Sequence, residues 1–468
     1  MKKGLLIGGA VAAVALLVTP KLIGLQVSQT LESKIAEFDA LPGYSLSLTN
    51  LQSGWFTSQA QLAISLDLSA SVPAEAVEAP PELSSVVDLS IQHGPVLRSG
   101  LGVLGQLAWT VKVAGEGLRD KLNWQDGVPF YQIDGVTSLN GHSRYADSIV
   151  AFTGQDEAVE FRFDGMQGQG NWTDGIFSYQ ATAPELAMLA EAVTLSTTGL
   201  SLQMNAEADM ATPLSGGLYD STANLVADSL VIENQQEGQR TELTGLAMHL
   251  QSKLDEASDT GNMQLEYKLA SVQSEGFTGQ DLQLALQFNN LSLDFIKAYQ
   301  AFSKTALEST DPERYQAELV SFMQNNLLML LSENPELNIA SLSGTVTEGS
   351  FKGYLNSKLL DVTSLPQPLN DNRFWLNHLN AESELELDKG VALWLARQQV
   401  FSELQQNVPP EEWDEAQMQQ VAEQQAPMLL ANFVQQGLLM ETPSGYKARF
   451  NLTDGQAVLN GNPMPLPI

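Results

Sequence analysis

From Tyr44 to about Leu291, apolar and polar positions alternate with a period of two. Leu62, Ile64, Leu66 and Leu68 alternate with Ala, Ser and Asp, and Leu200, Leu202 and Met204 repeat the pattern. So do Met263, Leu265, Tyr267 and Leu269, then Leu282, Leu284, Leu286 and Phe288. Successive side chains of a strand point to opposite faces, so each run predicts a strand with one covered and one solvated face, as in antiparallel sheet. Asp-Gly pairs at 126–127, 134–135, 164–165 and 174–175 read as turns that break the strands into hairpins. Three stretches share one order of strand, glycine-containing turn and strand: "LTNLQSGWFTSQAQLAISLDLS" at 48–69, "LASVQSEGFTGQDLQLALQFNNLS" at 269–292 and, more loosely, "LSGTVTEGSFKGYLNSKLLDV" at 342–362. A repeated hairpin unit and a shared strand grammar both account for them.

Two blocks switch to helical spacing. Residues 292–335 hold a helical pair, with Phe295, Tyr299 and Phe302 on one helix and Leu319, Met323, Leu327 and Leu330 on the next. Asp311-Pro312 supplies the cap and first position of the second helix. Residues 389–440 hold another pair, split at Pro409-Pro410, with "EEWDE" placing acid in the new first turn. The aromatic and Met stripes are read as core-facing. Strands continue the body over 336–388, and 441–468 form a closing hairpin with a Pro-rich tail that blocks further pairing.

The first residues differ from all of this. Lys2 and Lys3 precede an uninterrupted apolar run from Gly4 to Val18, which as a helix spans about 22 Å, short of a hydrocarbon core of about 30 Å. Continued to Leu25 it reaches about 33 Å, with Lys21 placed to snorkel. Residues 1–25 are therefore expected to be an uncleaved signal-anchor helix, a cleaved signal being the alternative. Lysines on the cytoplasmic side make everything after Leu25 exported. Leu25, Leu31, Ile35 and Phe38 then suggest a stalk helix over 26–42, stopped by Pro42-Gly43, below an antiparallel β-rich body over 43–291. The expected fold is α+β and mostly antiparallel β: a long curved sheet of hairpins with helical segments covering one side, preceded by one transmembrane helix.

Charge and composition narrow the function. Against 55 acidic residues stand 23 basic ones, a net charge of -32 that repels phosphate backbones, so nucleic acid is not an expected partner. The chain has no cysteine, which removes disulfides, thiolate nucleophiles, Cys-ligated metals and a lipoprotein anchor. His93, His142, His249 and His378 are scattered without metal-ligand spacing. There is no phosphate-binding glycine loop and no G-x-S-x-G elbow, and "GMQGQGNWTDG" at 165–175 lacks the dinucleotide fingerprint because Thr173 stands where the last glycine is needed. No cofactor, metal or catalytic residue is expected, and the chain reads as a non-enzyme.

In "SIQHGPVL" the alternation of Val87, Leu89 and Ile91 runs into His93, and Gly94-Pro95 ends the strand. A histidine there is expected to give one ring N–H to a backbone carbonyl and fix a corner. Contact with a ligand or partner is the alternative. Trp55, Phe56, His93, Gly94 and Pro95 are the candidate contact residues.

The apolar N-terminus, "GWFTSQAQLAIS" at 54–65, "HGPV" at 93–96, "LLMLLSENPELNIASLS" at 327–343 and "DGQAVLNGNPMPLP" at 454–467 resemble, in order and over nearly the whole chain, the YdgA-like family of proteobacterial envelope proteins. The resemblance implies an inner-membrane anchor through residues 4–25, a periplasmic β-rich body, and no catalytic residues. The Gly54-Trp55-Phe56 turn and His93-Gly94-Pro95 are among the shared segments.

Two functions are compatible with these readings. In the first, the curved sheet holds a lipid or another apolar envelope component on an open apolar face, in architecture similar to AsmA-like lipid-transfer proteins. In the alternative, the helices seal that face, and strand edges or the 389–440 helices bind envelope proteins or a second copy of the chain. Leu62, Ile64, Leu66, Leu282, Leu284 and Leu286 discriminate: a dry core favours the second, an open groove the first.

Overall fold

The computed structural model describes residues 44–67, 82–156, 158–208, 217–306, 312–407 and 414–466, with Thr212 and scattered helical positions between 19 and 39. The expected membrane-crossing segment and most of the stalk lie outside the described residues. Among those described, no helix is long and apolar enough to cross a membrane. The fold is mostly antiparallel β, and it divides into two units.

The first unit comprises residues up to 228 together with 232–237 and 296–325. Its strands are β1 (Tyr44–Ser53), β2 (Thr57–Asp67), β3 (Glu82–His93), β4 (Leu107–Val113), β5 (Leu122–Asn123), β6 (Tyr131–Thr137), β7 (Ser143–Ile149), β8 (Phe152–Asp156), β9 (Val159–Phe163), β10 (Met166–Thr173), β11 (Ile176–Ala190) and β12 (Val193–Glu207). They pair antiparallel in the order β1-β2-β3-β4-β6-β7-β10-β11-β12. The long β11 is shared: its first half pairs with β10 and its second half with β9, which leads on to β8 and β5.

β13 (Asp220–Asn234), α1 (Leu293–Ala306) and α2 (Pro312–Leu331) contribute residues to both units. Within the first unit, α1 and α2 meet through Phe302 and Phe322, whose rings stack at 4.8 Å, flanked by Tyr299 and Tyr315. Tyr299 and Phe302 of the stripe read from the sequence thus meet α2, through Tyr315 and Phe322, which the stripe did not include.

The second unit is a meander of β14 (Gln239–Asp255), β15 (Thr260–Ser274), β16 (Phe277–Ser292), β17 (Glu336–Val346), β18 (Gly349–Leu359) and β19 (Leu379–Asp388). β21 (Gly445–Thr453) pairs with β19, and β20 (Met440–Glu441), β22 (Gln456–Leu459) and β23 (Asn462–Met464) complete the closing hairpin region. Between β19 and β20 stand α4 (Lys389–Asn407) and α5 (Glu415–Gln435); α4 packs on β18, β19 and β21. Ala392, Ala396 and Ala426 let the two helices approach closely, and Leu430 fills the remaining space.

Three local readings need correction. Asp134-Gly135 is not a turn but the middle of β6. The Trp109 ring lies 2.1 Å from where a Cβ on residue 135 would stand, so glycine is there to accept the ring. A short helix, α3 (Asn372–His378), interrupts the stretch read as continuous strand; the Asp371 side chain caps it by accepting from the backbone N–H of Arg373 and Phe374. In "EEWDE", residues 411–413 lie outside the described residues, Glu415 opens the helix, and Asp414 does not sit in its first turn but caps α5 by accepting from the Gln417 N–H at 3.0 Å. The Asp-Gly pairs at 164–165 and 174–175 do connect strands, and the three glycine-turn stretches are all hairpins.

Candidate functional site

His93 ends β3 and is 3% exposed. Its Nδ1 lies 3.2 Å from the Trp55 carbonyl oxygen, which can only accept, so Nδ1 donates. Nε2 lies 3.0 Å from Ser58 Oγ, which is also 3.3 Å from Ser53 Oγ. The spacing is that of a nucleophile and its base, but Ser58 is buried as well and a backbone carbonyl occupies the orienting position. The His93 N–H also donates to the Phe56 carbonyl at 2.8 Å. The pair ties the β1–β2 turn to the end of β3.

Gly94 donates its N–H to the Gln106 carbonyl at 2.6 Å, and a Cβ there would lie 1.8 Å from the Gly105 carbonyl oxygen. The Pro95 carbonyl accepts from the Gly105 N–H at 3.1 Å. Of the five candidate residues, then, His93, Gly94 and Pro95 build a corner, while Trp55 and Phe56 are exposed beside it.

A second arrangement was not anticipated. Strand register places Leu51, Ala60, Leu89, Val111, Ile133, Asp147, Gly168, Ala181 and Leu202 in one row across the first unit. Asp147 is the single charge in that row and is 6% exposed. Its Oδ2 accepts from Tyr131 at 3.1 Å and from Tyr179 at 3.0 Å. Its Oδ1 is buried and without a hydrogen-bond partner among the described residues. Burial, reinforced by the carboxylate, raises the Tyr131 and Tyr179 hydroxyls well above the ordinary phenol range. Tyr145 beside them is pushed up to about 12, again chiefly by burial.

The neighbouring row alternates rings with glycine: Trp109, Gly135, Tyr145, Gly170, Tyr179. Trp109 leans over Gly135, Tyr145 over Gly170 and Tyr179 over Gly168 of the next row, and Trp109, Tyr145 and Tyr179 follow one another at 6.5 and 6.2 Å. Gly168 in the same way leaves room for the Asp147 carboxylate. Gly168 and Gly170 of the 165–175 segment therefore serve packing inside β10, and Gly165 and Gly175 flank it in the connections to β9 and β11. A parity count offered the signal for Asp147, because in "SRYADSI" it shares a face with Tyr145 and Ile149.

The opposite face of these strands is polar. Two adjoining open cavities of about 520 and 590 Å³ share Gln169, Gln180 and Gln203, with Arg144, Asp134 and Asn205 at their margins. In the second unit, Glu384 accepts from Lys447 at 2.6 Å and from Arg449, and Glu386 accepts from Lys447 and Lys352, each at 2.7 Å. Hydrogen bonds from Lys352 and Lys447 hold the Glu386 carboxyl down to about 2. A further cavity of about 400 Å³ lies between α4, α5 and the β17–β18 turn, where Glu348 Oε2 and Arg397 Nε are both buried without a hydrogen-bond partner among the described residues. No cluster of metal-ligating side chains occurs among the described residues.

On the apolar face of the second unit, rows run across strands as Met248-Tyr267-Leu284-Leu342 and Leu250-Leu265-Leu286-Ile339. Leu62, Ile64, Leu282, Leu284 and Leu286 are all partly exposed; none belongs to the buried core. The Leu66 side chain lies outside the described residues. Tyr267 and Leu337, on the same face as Leu284 and Phe288, are 42% and 47% exposed.

No curated protein and no solved structure matches the chain. A family profile described as bacterial protein of unknown function (DUF945) matches residues 1–467. With a match over essentially its whole length, the chain belongs to the DUF945 family of bacterial proteins.

Proposed function

We propose that this chain is a YdgA-like member of its family, a non-enzymatic protein held in the bacterial inner membrane through residues 4–25, whose periplasmic β-rich body handles a lipid or another apolar envelope component on its apolar sheet face. The observation that carries the reading is the partial cover of that face. The leucines that alternate along β2 and β16 keep surface in contact with solvent instead of closing into a core. α4 packs on β18, β19 and β21 and touches the start of β16 through Trp394 stacked on Phe277, while Leu284 and Leu286 farther along β16 stay partly exposed. A strand of the length of β14 provides about 55 Å of track, longer than an extended acyl chain. Each methylene laid on such a surface contributes about 0.8 kcal/mol, so one chain supplies a large gross stabilisation without any polar contact.

The test is native mass spectrometry with lipid extraction on the full chain, purified from a bacterial envelope. A stoichiometric phospholipid or other apolar passenger that disappears in Leu284→Asp supports the reading. A ligand-free monomer or dimer overturns it and leaves the interaction-protein alternative.

A further inference from the structure

Six large apolar side chains stand in the open at one end of the first unit: Trp55, Phe56, Val96, Val103, Leu104 and Leu139, each between 51% and 66% exposed. They come from three connections, the β1–β2 turn, the 94–106 segment and the β6–β7 turn, all at the same end of the antiparallel strands. Hydrogen bonds join the three into one tip. His93 reaches the Trp55 carbonyl, Gly94 reaches Gln106, and the Gln106 side-chain amide donates to the Leu139 carbonyl at 3.1 Å. A Val96–Leu104 bridge braces the middle segment. The apolar side chains are thus presented on a tied scaffold.

The three segments that carry them contain no acidic residue. In a chain with 55 acidic residues, none lies between Asp39 and Asp67, between Asp88 and Glu116, or between Asp134 and Asp147. Those are the three segments that form the tip. Arg98 and Arg144 lie within it; Arg144 donates to the Leu101 carbonyl, and neither guanidinium meets a carboxylate among the described residues.

We infer that this tip is a lipid-docking surface that inserts Trp55, Phe56, Leu104 and Leu139 into the interface of a phospholipid bilayer, with Arg98 and Arg144 at the phosphate level. Tryptophan and phenylalanine are favoured at the headgroup boundary, and unpaired arginines suit phosphates there. A carboxylate at that depth would be repelled by phosphate and costly to desolvate, which gives the acid-free stretches a physical purpose. β1 carries the chain about 33 Å from Tyr44 to this end, so the tip is the end of the strand remote from the N-terminal segment.

The absence of native cysteine makes the test direct. An environment-sensitive fluorophore is attached to the full chain, kept soluble in amphipathic polymer, through Leu104→Cys, Leu139→Cys or, as a control on the polar trough, Gln203→Cys. Phosphatidylcholine vesicles carrying a shallow spin-labelled lipid should quench the first two at least threefold more than the third. Phe56→Ser with Leu139→Ser should weaken vesicle binding about tenfold while leaving the melting temperature nearly unchanged, because both side chains are more than half exposed. Arg98→Gln with Arg144→Gln should lower the extra binding gained when phosphatidylglycerol is added. Equal quenching at all three positions, or none, overturns the inference and turns the tip into a protein contact. The tip variants leave any co-purified passenger in place, so loss of docking with retained lipid is separable from failure of the sheet-face reading.

Discussion

A single carboxyl group in an apolar row is an expensive choice, and Asp147 is accommodated there by two tyrosine hydroxyls that donate to its Oδ2 from opposite sides. Asp147→Ala leaves both hydroxyls without their acceptor and should cost about 2 kcal/mol in urea unfolding. In a Tyr131→Phe/Tyr179→Phe background the same substitution should become neutral or stabilising, since it then removes an unpaired buried carboxyl group; an unchanged cost would break the account. The corner histidine gives a second contrast. His93→Ala should lower stability by about 2 kcal/mol, because it empties a buried site and removes the ring's hydrogen bonds to the Trp55 carbonyl and Ser58. His142→Ala, at an exposed position, should leave the thermal midpoint where it is. Residues of this kind were legible in unequal measure. The role of His93 followed from its place at the end of an alternation, but Gly135 was taken for a turn, because Asp-Gly is a local signal and the ring that needs the glycine comes from another strand. Asp147 was visible only as a parity violation, and its tyrosine partners depend on a register that no single strand specifies.

Elements fared better than their ends. Period-two runs identified the long strands, because an apolar face with a solvated back admits no other spacing. The two helical pairs were equally legible from their aromatic and Met stripes. α3 was not: with seven residues it offers hardly two turns of pattern, and its only cue was Asp371 as a cap. What alternation could not say was which faces would be covered, since that depends on where α4 and α5 land. Their contact is close, with Ala426 fully buried between them. Ala426→Leu adds volume where none is free and should destabilise by about 1–3 kcal/mol, read as a lowered midpoint in chemical unfolding. If the substitution proves neutral, the helices are less tightly docked than their alanines imply.

At the scale of the molecule, composition foretold a surface rich in amides and acids but not its arrangement. Some of the acid is organised into the Lys352-Glu386-Lys447-Glu384-Arg449 network on the second unit, and the tip of the first unit is free of it. The network gives a pH signature with a definite sign. Glu386 is held down to about 2 in the folded chain by Lys352 and Lys447, against about 4.3 for an unperturbed glutamate. A lowered folded value contributes stability above the unfolded value that is lost as pH falls through the folded one. Thermal midpoints of the native chain and of Glu386→Gln should therefore differ most at neutral pH and converge between about pH 4.3 and 2. A gap that widens on acidification would contradict the network. The meander itself has a kinetic consequence. β14–β15, β15–β16 and β17–β18 close through short turns, whereas β16–β17 closes across α1 and α2 and β19–β21 across α4 and α5. Short closures cost little chain entropy and form early, whereas the long ones wait. The hairpins β14–β16 and β17–β18 should form first and β21 with its helices should be seated in a separate, slower phase, so the cavity around Arg397 is among the last features to appear as the chain folds.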